Sequence, residues 1–346
     1  MQHEIIKGRL LDGFGQLAEA GFAHEPLKTY DRADIKTPKW RIKEWDYYYV
    51  GNTKHGLSLT ISDLGYISMI GITFFDFKQP KEYSRSFIGL FPMGKIKLAP
   101  SPADNKVHVS SKQYDITIET TGAIRKLSGY VKNVAKLGDI KFDLTLTDTN
   151  GTGLCIATPF KKKGHFYYNY KLNNLRADGS VSFAGTIHDF EGAQGVLDWG
   201  RGVWTYKNTW YWASFSGISG SNVVGANLGY GFGDTSKASE NMVYYRHNDG
   251  ESPTVATKLD DVTFYIPKDG KGRDAFMEEW LIKSTSGDID LRFKPLLNRH
   301  SISNLLVIKS IQNQVFGFYS GTILCDGKPL HIDHVLGFAE KVYNAW

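Results

Sequence analysis

Apolar and polar residues alternate with a period of two along most of this chain, and this pattern limits the fold more than any other feature. The segment DIKFDLTLTD (139–148) places isoleucine, phenylalanine and leucines on one side and charged or hydroxyl residues on the other, which is typical of a half-buried β-strand. YDITIET (114–120) repeats the pattern. Helical periodicity is almost absent, and its best short example is GQLAEAGFA (15–23). The chain is therefore predicted to be all-β and mainly antiparallel.

An internal repeat indicates two domains of the same topology. WDYYYVGNTKHGLSLTISDLGY (45–66) and WYWASFSGISGSNVVGANLGY (210–230) share an aromatic-rich strand, a loop with glycine, an apolar strand and a final Leu-Gly-Tyr. Further along each half, GDIKFDLTL (138–146) resembles GDIDLRFKP (287–295). Matches that keep their order along the chain are typical of a repeated structural unit.

A third match closes each half. FAGTIHDFEGAQGVLDW aligns with YSGTILCDGKPLHIDHVLGFAE, which places Asp198 and Glu340 at equivalent positions. A chain of 346 residues is long for one domain, so we predict an N-terminal domain of residues 1–190 and a C-terminal domain of residues 191–346. The strands of each half, about eight to ten in number, would close most readily as an antiparallel barrel.

Charge and composition exclude several kinds of partner. The 41 basic and 36 acidic residues are spread along the chain, whereas a nucleic-acid surface gathers its basic residues on one face. No nucleic-acid partner is therefore predicted. No apolar run reaches the ~18 residues of a membrane helix, and MQHEIIKGRLLDGFGQL lacks the apolar core of a signal peptide. The sequence predicts a cytoplasmic protein without an integral membrane segment.

Neither a metal site nor a cofactor is predicted. Cys155 and Cys325 are the two cysteines, and they lack metal-ligand spacing. In HIDH, alternation on a strand turns His331 and Asp333 to one side and His334 to the other. The glycines of NLGYGFGD alternate and do not precede the Gly-Lys-Ser/Thr of a phosphate-binding loop.

Four tryptophans crowd into GVLDWGRGVWTYKNTWYWASFSG (195–217), namely Trp199, Trp204, Trp210 and Trp212. Alternate side chains of a strand face opposite sides, so Trp210 and Trp212 share one face and the tyrosine between them points to the other. One face must be core, and the other is a domain seam or the wall of a ligand cavity. Packing is the commoner use of aromatic residues, and binding is the alternative for all four.

Asp198 and Arg201 are the candidate catalytic residues. A carboxylic acid buried among apolar rings has a raised pKa and can protonate an alkene, while ring faces stabilise the resulting cation. Asp198 follows an apolar pair and precedes Trp199. Arg201 argues for another role, because an ion pair with Asp198 keeps the carboxylate anionic. A structural ion pair, with Arg201 stacked on Trp199 or Trp204, is therefore the favoured interpretation.

A glycine-rich segment supplies the remaining candidates. In NLGYGFGDTSKASEN (227–241) the alternating glycines leave one strand face bare, so a facing tryptophan or a ligand can approach closely. Polar groups and a tyrosine in this segment can orient a bound molecule, and the alternative for the polar ones is turn formation and backbone capping. The candidate ligand-binding residues here are Asn227, Tyr230, Asp234, Glu240 and Asn241.

The motifs LDWGRGVW, NLGYGFGD, SENMVYY and GFYSG…DG…GFAE resemble those of the bacterial family called domain of unknown function 2804, over nearly the whole chain. That family is similar to the tandem lipocalin-like proteins that include carotenoid 1,2-hydratase. The resemblance implies two calycin-type barrels. In the hydratase branch a histidine follows the acid that closes the first barrel, whereas Trp199 follows Asp198 here, so a residue expected to handle protons is missing.

Three functions follow as hypotheses. The first is binding of an apolar or amphipathic small molecule, such as a lipid or isoprenoid, in a barrel or at the seam between the domains. The second is a cofactor-free hydratase- or isomerase-like reaction on a lipid or isoprenoid, which requires a buried carboxylic acid. The third is a structural or interaction protein whose barrels are filled by side chains. An open cavity distinguishes the first two from the third.

Overall fold

The computed structural model describes residues 2–305 and 308–345. Strands make up most of the described chain, and its helices are single 3₁₀ turns at Arg32–Asp34, Lys39–Arg41 and Val134–Lys136. Every helix in this part of the chain is too short to span a lipid bilayer. The predicted all-β class is confirmed, and the sheets have the curled antiparallel form of a tandem lipocalin-like fold.

The chain forms two compact units. The first unit is Glu4–Trp204, and the second begins at Thr205 and also includes Gln2 and His3. The strands of the first unit are β1 (Gly8–Arg9), β2 (Gly21–Ala23), β3 (Lys28–Thr29), β4 (Lys43–Gly51), β5 (His55–Asp63), β6 (Ile67–Asp76), β7 (Lys81–Leu90), β8 (Asn105–Ser110), β9 (Tyr114–Thr121), β10 (Ile124–Val131), β11 (Ile140–Asp148), β12 (Leu154–Pro159), β13 (Phe166–Phe183), β14 (Thr186–Asp189) and β15 (Ala193–Val203).

The strands of the second unit are β16 (Lys207–Ser219), β17 (Asn222–Tyr230), β18 (Asn241–His247), β19 (Val255–Leu259), β20 (Thr263–Tyr265), β21 (Trp280–Lys283), β22 (Ile289–Leu305), β23 (Ile308–Cys325) and β24 (Lys328–Ala345). They form one sheet in the order β19-β18-β17-β16-β24-β23-β22-β21-β20. All of its described strand pairs are antiparallel.

The main sheet of the first unit follows a corresponding order with one more strand on its path. It runs β7-β6-β5-β4-β15-β13-β11-β10-β9-β8, with β2, β12 and β14 attached beside this path. In each sheet the first strand of a four-strand meander pairs with the last strand of its unit, so β4 beside β15 corresponds to β16 beside β24. The three sequence matches fall on these corresponding strands, which explains why their order is the same in both halves.

The first compact unit ends at Trp204, whereas the boundary predicted from the sequence lies near residue 190. The difference concerns β15, which pairs with β4 and β13 and completes the first sheet.

Alternation determines which residues fill each sheet. In β11 the four apolar residues Ile140, Phe142, Leu144 and Leu146 are buried and belong to the first core cluster. The core of the second unit also contains aromatic residues, and its fully buried members include Phe215, Trp280, Phe293 and Tyr319. Since burial of apolar area is the main stabilising term in folding, these concave faces hold the two sheets in their curled form.

Candidate functional site

Asp198 and Arg201 lie on opposite faces of β15 and do not pair with each other. They are three residues apart on a strand, and an odd spacing turns two side chains to opposite sides. Asp198 pairs with Lys171 instead, at 3.1 Å, and Arg201 pairs with Asp46 at 2.9 Å. The favoured ion pair was therefore assigned to the wrong partners, although each residue has a partner.

Arg201 is a fully buried cation in the interior of the first unit. Its side chain is 0% exposed and lies over the Trp199 ring, 4.2 Å from the ring centroid, as the sequence analysis expected. Nη1 donates to the Trp45 carbonyl at 2.7 Å and Nη2 donates to the Ala99 carbonyl at 2.7 Å. Together with the Asp46 carboxylate, these acceptors compensate the buried charge, which identifies Arg201 as a structural residue.

Asp46 is a buried acid that the sequence analysis did not select. It pairs across strands with Trp199, on the face that its alternate neighbours Tyr48 and Val50 also line. Burial raises the pKa of the Asp46 carboxyl, and the charge of Arg201 opposes that rise. The alternation of WDYYYV (45–50) was the available signal, because it places Asp46 among core residues.

On the other face of β15, Asp198 accepts three hydrogen bonds. The donors are Trp45 Nε1 at 3.1 Å, Asn169 Nδ2 at 2.5 Å and Lys171 Nζ at 3.1 Å. The Trp45 ring packs across Gly200, where a side chain would overlap it. Both carboxylate oxygens of Asp198 are therefore engaged by donors of the protein itself, which is the arrangement of a structural hydrogen-bond network.

The second unit repeats the same contact. Trp210 Nε1 donates to Glu340 Oε1 at 2.9 Å, and Gln314 Nε2 donates to Glu340 Oε2 at 3.3 Å. Trp45 and Trp210 begin the first sequence match, while Asp198 and Glu340 end the third. The predicted equivalence of the two acids therefore appears as one tryptophan–carboxylate hydrogen bond in each sheet.

Trp212 belongs to a buried polar cluster. It is 6% exposed, its Nε1 donates to Asn227 Oδ1 at 2.6 Å, and its ring meets Phe338 edge-on. Asn227 in turn donates to the Glu240 carbonyl at 2.6 Å, and Asn241 Oδ1 accepts from the Gly229 amide at 2.8 Å. Asn227 and Asn241 thus bind main-chain atoms, which is the backbone-capping role given above as the alternative to ligand binding.

Three further candidate residues lie outside this polar cluster, namely Trp204, Asp234 and Tyr230. Trp204 packs edge-on against Trp45, with ring centroids 5.2 Å apart. Asp234 Oδ1 accepts from the Ser236 amide at 3.0 Å, which is turn chemistry. Tyr230 stacks on Tyr211, at 4.6 Å between centroids, and so lies on the opposite face from Trp212.

Lys258 is a half-buried lysine near Glu240. Burial lowers its pKa to about 7, and the charges of Asp260 and Glu240 oppose that shift. Between pH 7 and 10 the unfolded chain therefore binds more protons at this site than the folded chain, so stability rises with pH.

We expect the free energy of unfolding to increase by about 1 kcal/mol between pH 7 and 8.5 through Lys258. Lys258→Met removes the titrating group, so the variant's stability curve should be flatter than that of the unmodified protein over this interval. Urea unfolding at several pH values measures both curves, with the exposed Lys106→Met as the control variant. Parallel curves for the unmodified protein and Lys258→Met would contradict the expectation.

An open pocket of about 880 Å³ lies at one end of the second sheet's concave face. Strands β22, β23 and β24 and the segment between β20 and β21 supply its walls, and it is called the C-terminal pocket below. The pocket is lined by Lys268, Asp269, Gly272, Arg273, Asp274, Phe276, Asn298, His300, Ile311, Asn313, Lys341 and Tyr343.

The C-terminal pocket carries an excess positive charge. Its three lysine and arginine side chains against two aspartates leave one positive charge (3 − 2). Lys341 Nζ is 2.6 Å from Asp274 Oδ2, and Lys268 Nζ is 2.5 Å from Asp274 Oδ1. Burial acts to raise the pKa of the Asp274 carboxyl, but hydrogen bonds from Lys268 and Lys341 outweigh it and lower the pKa. Asp274 is therefore an anion that two lysines share.

Aromatic side chains form the floor of the C-terminal pocket. Phe276 lines the pocket and packs on Trp280, at 5.9 Å between ring centroids. Trp280 packs in turn on Phe293, and the Lys341 ammonium lies 5.4 Å from the Tyr211 ring centroid. The deep interior of this sheet is thus filled by rings while its end stays open.

No group of three or more potential metal ligands occurs in the described part of the chain.

Known proteins resemble the chain in family and in fold. A family model described as Domain of unknown function (DUF2804) matches residues 2–346. No curated protein sequence gives a significant match. Kievitone hydratase from Nectria haematococca is 13% identical with a TM-score of 0.52, over 99% of this chain and 98% of that chain. CghA is 12% identical with a TM-score of 0.43, over 97% of each chain. At these identities the likeness concerns the fold.

Proposed function

The chain belongs to the DUF2804 family, and we propose that it binds an amphipathic small molecule with an anionic group. The C-terminal pocket is the observation that carries this proposal. Its volume of about 880 Å³ falls within the roughly 300–1,000 Å³ of small-molecule sites.

The lining of the C-terminal pocket matches such a ligand. Lys268 and Lys341 share the single carboxylate of Asp274. Because one negative charge balances only part of two positive charges, the lysines can also bind an added anion. Phe276, Ile311 and Tyr343 supply the apolar part of the wall. A ligand with a charged end and an apolar body satisfies both kinds of contact at once.

Two alternative functions receive less support from this site. Acid catalysis of hydration, the activity named for kievitone hydratase, requires a neutral carboxylic acid, and the lowered pKa of Asp274 makes it an anion. Asp46 is the acid whose pKa is raised, yet Arg201 pairs with it. A purely structural role requires filled barrels, and the open end of the second sheet argues against that requirement.

Laurate is a suitable probe, because it joins a carboxylate to a flexible apolar chain. We expect the full chain to bind laurate and to bind dodecyltrimethylammonium, of similar length and opposite charge, at least roughly tenfold more weakly. Lys341→Met should weaken laurate binding by about tenfold, since a charge-assisted hydrogen bond is lost. Isothermal titration calorimetry measures each affinity.

The matched control is Lys283→Met. Lys283 is an exposed lysine of the same unit, pairs with Asp290 at 3.1 Å, and lies outside the C-terminal pocket. Its replacement removes the same charge and should leave laurate binding unchanged. Equal binding of the anionic and cationic detergents, or equal effects of the two lysine variants, would contradict the proposed function.

A further inference from the structure

Arg125 is a buried cation on the concave side of the first sheet. It lies on β10, shares a face with the core residue Leu127, and is 4% exposed. Its Nε and Nη1 atoms are buried and have no hydrogen-bond partner among the residues that the structure describes. Tyr48 of β4 is four strands away in the sheet order, yet burial raises the pKa of its hydroxyl and the charge of the nearby Arg125 opposes that rise. The two side chains therefore meet across the interior.

Such a guanidinium is costly unless something compensates its charge. An arginine does not lose its proton in a protein, so burial cannot neutralise it, and an unpaired buried charge is strongly destabilising. Arg201, in the same unit, shows the usual solution, because Asp46 and backbone carbonyls accept from it. Arg125 has no ion pair of this kind in the described chain, and two of its donors lack acceptors.

We propose that the interior of the first sheet binds a small organic oxyanion, whose carboxylate or phosphate oxygens accept from Nε and Nη1 of Arg125 and from the Tyr48 hydroxyl. The planar fork of a guanidinium binds such groups through two parallel hydrogen bonds. The cross-strand neighbours of Arg125 are Thr120, a further hydroxyl, and Leu146, an apolar contact for the body of the ligand.

This oxyanion site is distinct from the C-terminal pocket. All of its residues belong to the first unit, whereas the C-terminal pocket is built from the second. The lysines of the C-terminal pocket are ion-paired with carboxylates of the protein, while the donors of Arg125 are not. The two sites can therefore be removed by separate substitutions and tested independently.

The test compares benzoate, phenyl phosphate and the neutral benzyl alcohol in thermal shift and calorimetric titration of the full chain. We expect at least one of the two anions to raise the melting temperature and benzyl alcohol to leave it unchanged. The larger shift identifies the preferred oxyanion. Arg125→Met should remove this shift and weaken the preferred anion's binding by roughly tenfold or more, and Arg125→Lys should retain part of it because lysine keeps a point charge.

The same variants separate binding from a structural role. Without added anion, Arg125→Met should melt a few degrees above the unmodified protein, because an uncompensated buried charge is removed. Arg176→Met, which removes an exposed arginine of the same unit, should keep the full anion response. All titrations are repeated in Lys341→Met, in which the C-terminal pocket binds anions weakly, and the anion response that remains there should depend on Arg125. Failure of the C-terminal pocket to bind laurate therefore leaves this result standing.

Three results would overturn the oxyanion site. The first is an equal anion response in Arg125→Met and the unmodified protein. The second is an Arg125→Met variant that melts lower than the unmodified protein while neither anion shifts the latter. If Arg125→Met does not fold, the test uses Arg125→Lys instead. The third result would then be a melting-temperature shift of Arg125→Lys with benzyl alcohol that equals its shift with the anions.

Discussion

Replacing Arg201 by alanine is expected to reduce the free energy of unfolding by about 3–5 kcal/mol. The substitution leaves the Asp46 carboxylate buried without its counter-charge, since Nη2 of Arg201 lies 2.9 Å from Asp46 Oδ1. It also removes the donors to the carbonyl oxygens of Trp45, Ala99 and Gly200. Buried polar groups that lose their partners pay the full cost of desolvation.

Two further variants make this expectation specific. Arg176→Ala removes an arginine from the exposed pair with Asp178, whose side chains are 57% and 45% exposed, and should cost less than about 1 kcal/mol. Adding Asp46→Asn to Arg201→Ala should recover part of the loss, because the uncompensated charge is gone. Guanidinium unfolding followed by circular dichroism measures all three. A loss in Arg201→Ala no greater than in Arg176→Ala would show that the buried pair is not structural.

The strands could be predicted because period-two alternation is a local property. Each apolar residue of β11 is buried where the sequence placed it, and the three sequence matches fall on corresponding strands of the two sheets. The boundary between the units depends on where the last strand of the first sheet pairs. Hydrogen bonding of β15 to β4 is a contact between residues far apart in sequence, and no local pattern reports it.

None of the candidate residues named from the sequence lines the C-terminal pocket, which β22, β23, β24 and the segment before β21 form, and their role in ligand binding stays a prediction. Alternation of β16 was read correctly, but sequence alone does not say which face is open. Trp210 and Trp212 hydrogen-bond to Glu340 and Asn227, whereas Tyr211 lies on the face of the C-terminal pocket, in contact with Lys341. Pairing Asp198 with Arg201 failed for a simpler reason, since their odd spacing already excluded a shared face.

The lining of the C-terminal pocket could not be predicted from the sequence for a different reason. Lys268 and Asp274 lie in a connecting segment, His300 and Asn313 lie on neighbouring strands, and Lys341 comes near the end of the chain. These residues come from separate segments of the chain and form no spacing motif, because it is the curled sheet that brings them together. Arg125 escaped notice similarly, since one arginine at a core-facing position of a strand is visible only once its pairing register is known.

Trp280→Ala is expected to destabilise the second unit by about 3–5 kcal/mol, as large-to-small substitutions of buried aromatic residues do. Trp280 is 0% exposed, and its ring packs on Phe276 and Phe293 at 5.9 and 5.5 Å between centroids. Its Nε1 donates to the Phe276 carbonyl at 3.1 Å. The cavity left by alanine would therefore remove support from the floor of the C-terminal pocket, and laurate should bind more weakly to whatever fraction stays folded.

Trp280→Phe and Trp40→Ala separate the possible reasons for such a loss. The phenylalanine variant keeps an aromatic ring at the site and should cost roughly 1–2 kcal/mol, from lost contacts and one lost hydrogen bond. Trp40 is 48% exposed, so its replacement should cost less than about 1 kcal/mol. Differential scanning calorimetry and laurate titration read out stability and binding together. If Trp280→Ala proved as harmless as Trp40→Ala, the rings would not fill the interior of the second sheet, and a ligand could reach deeper than the open end.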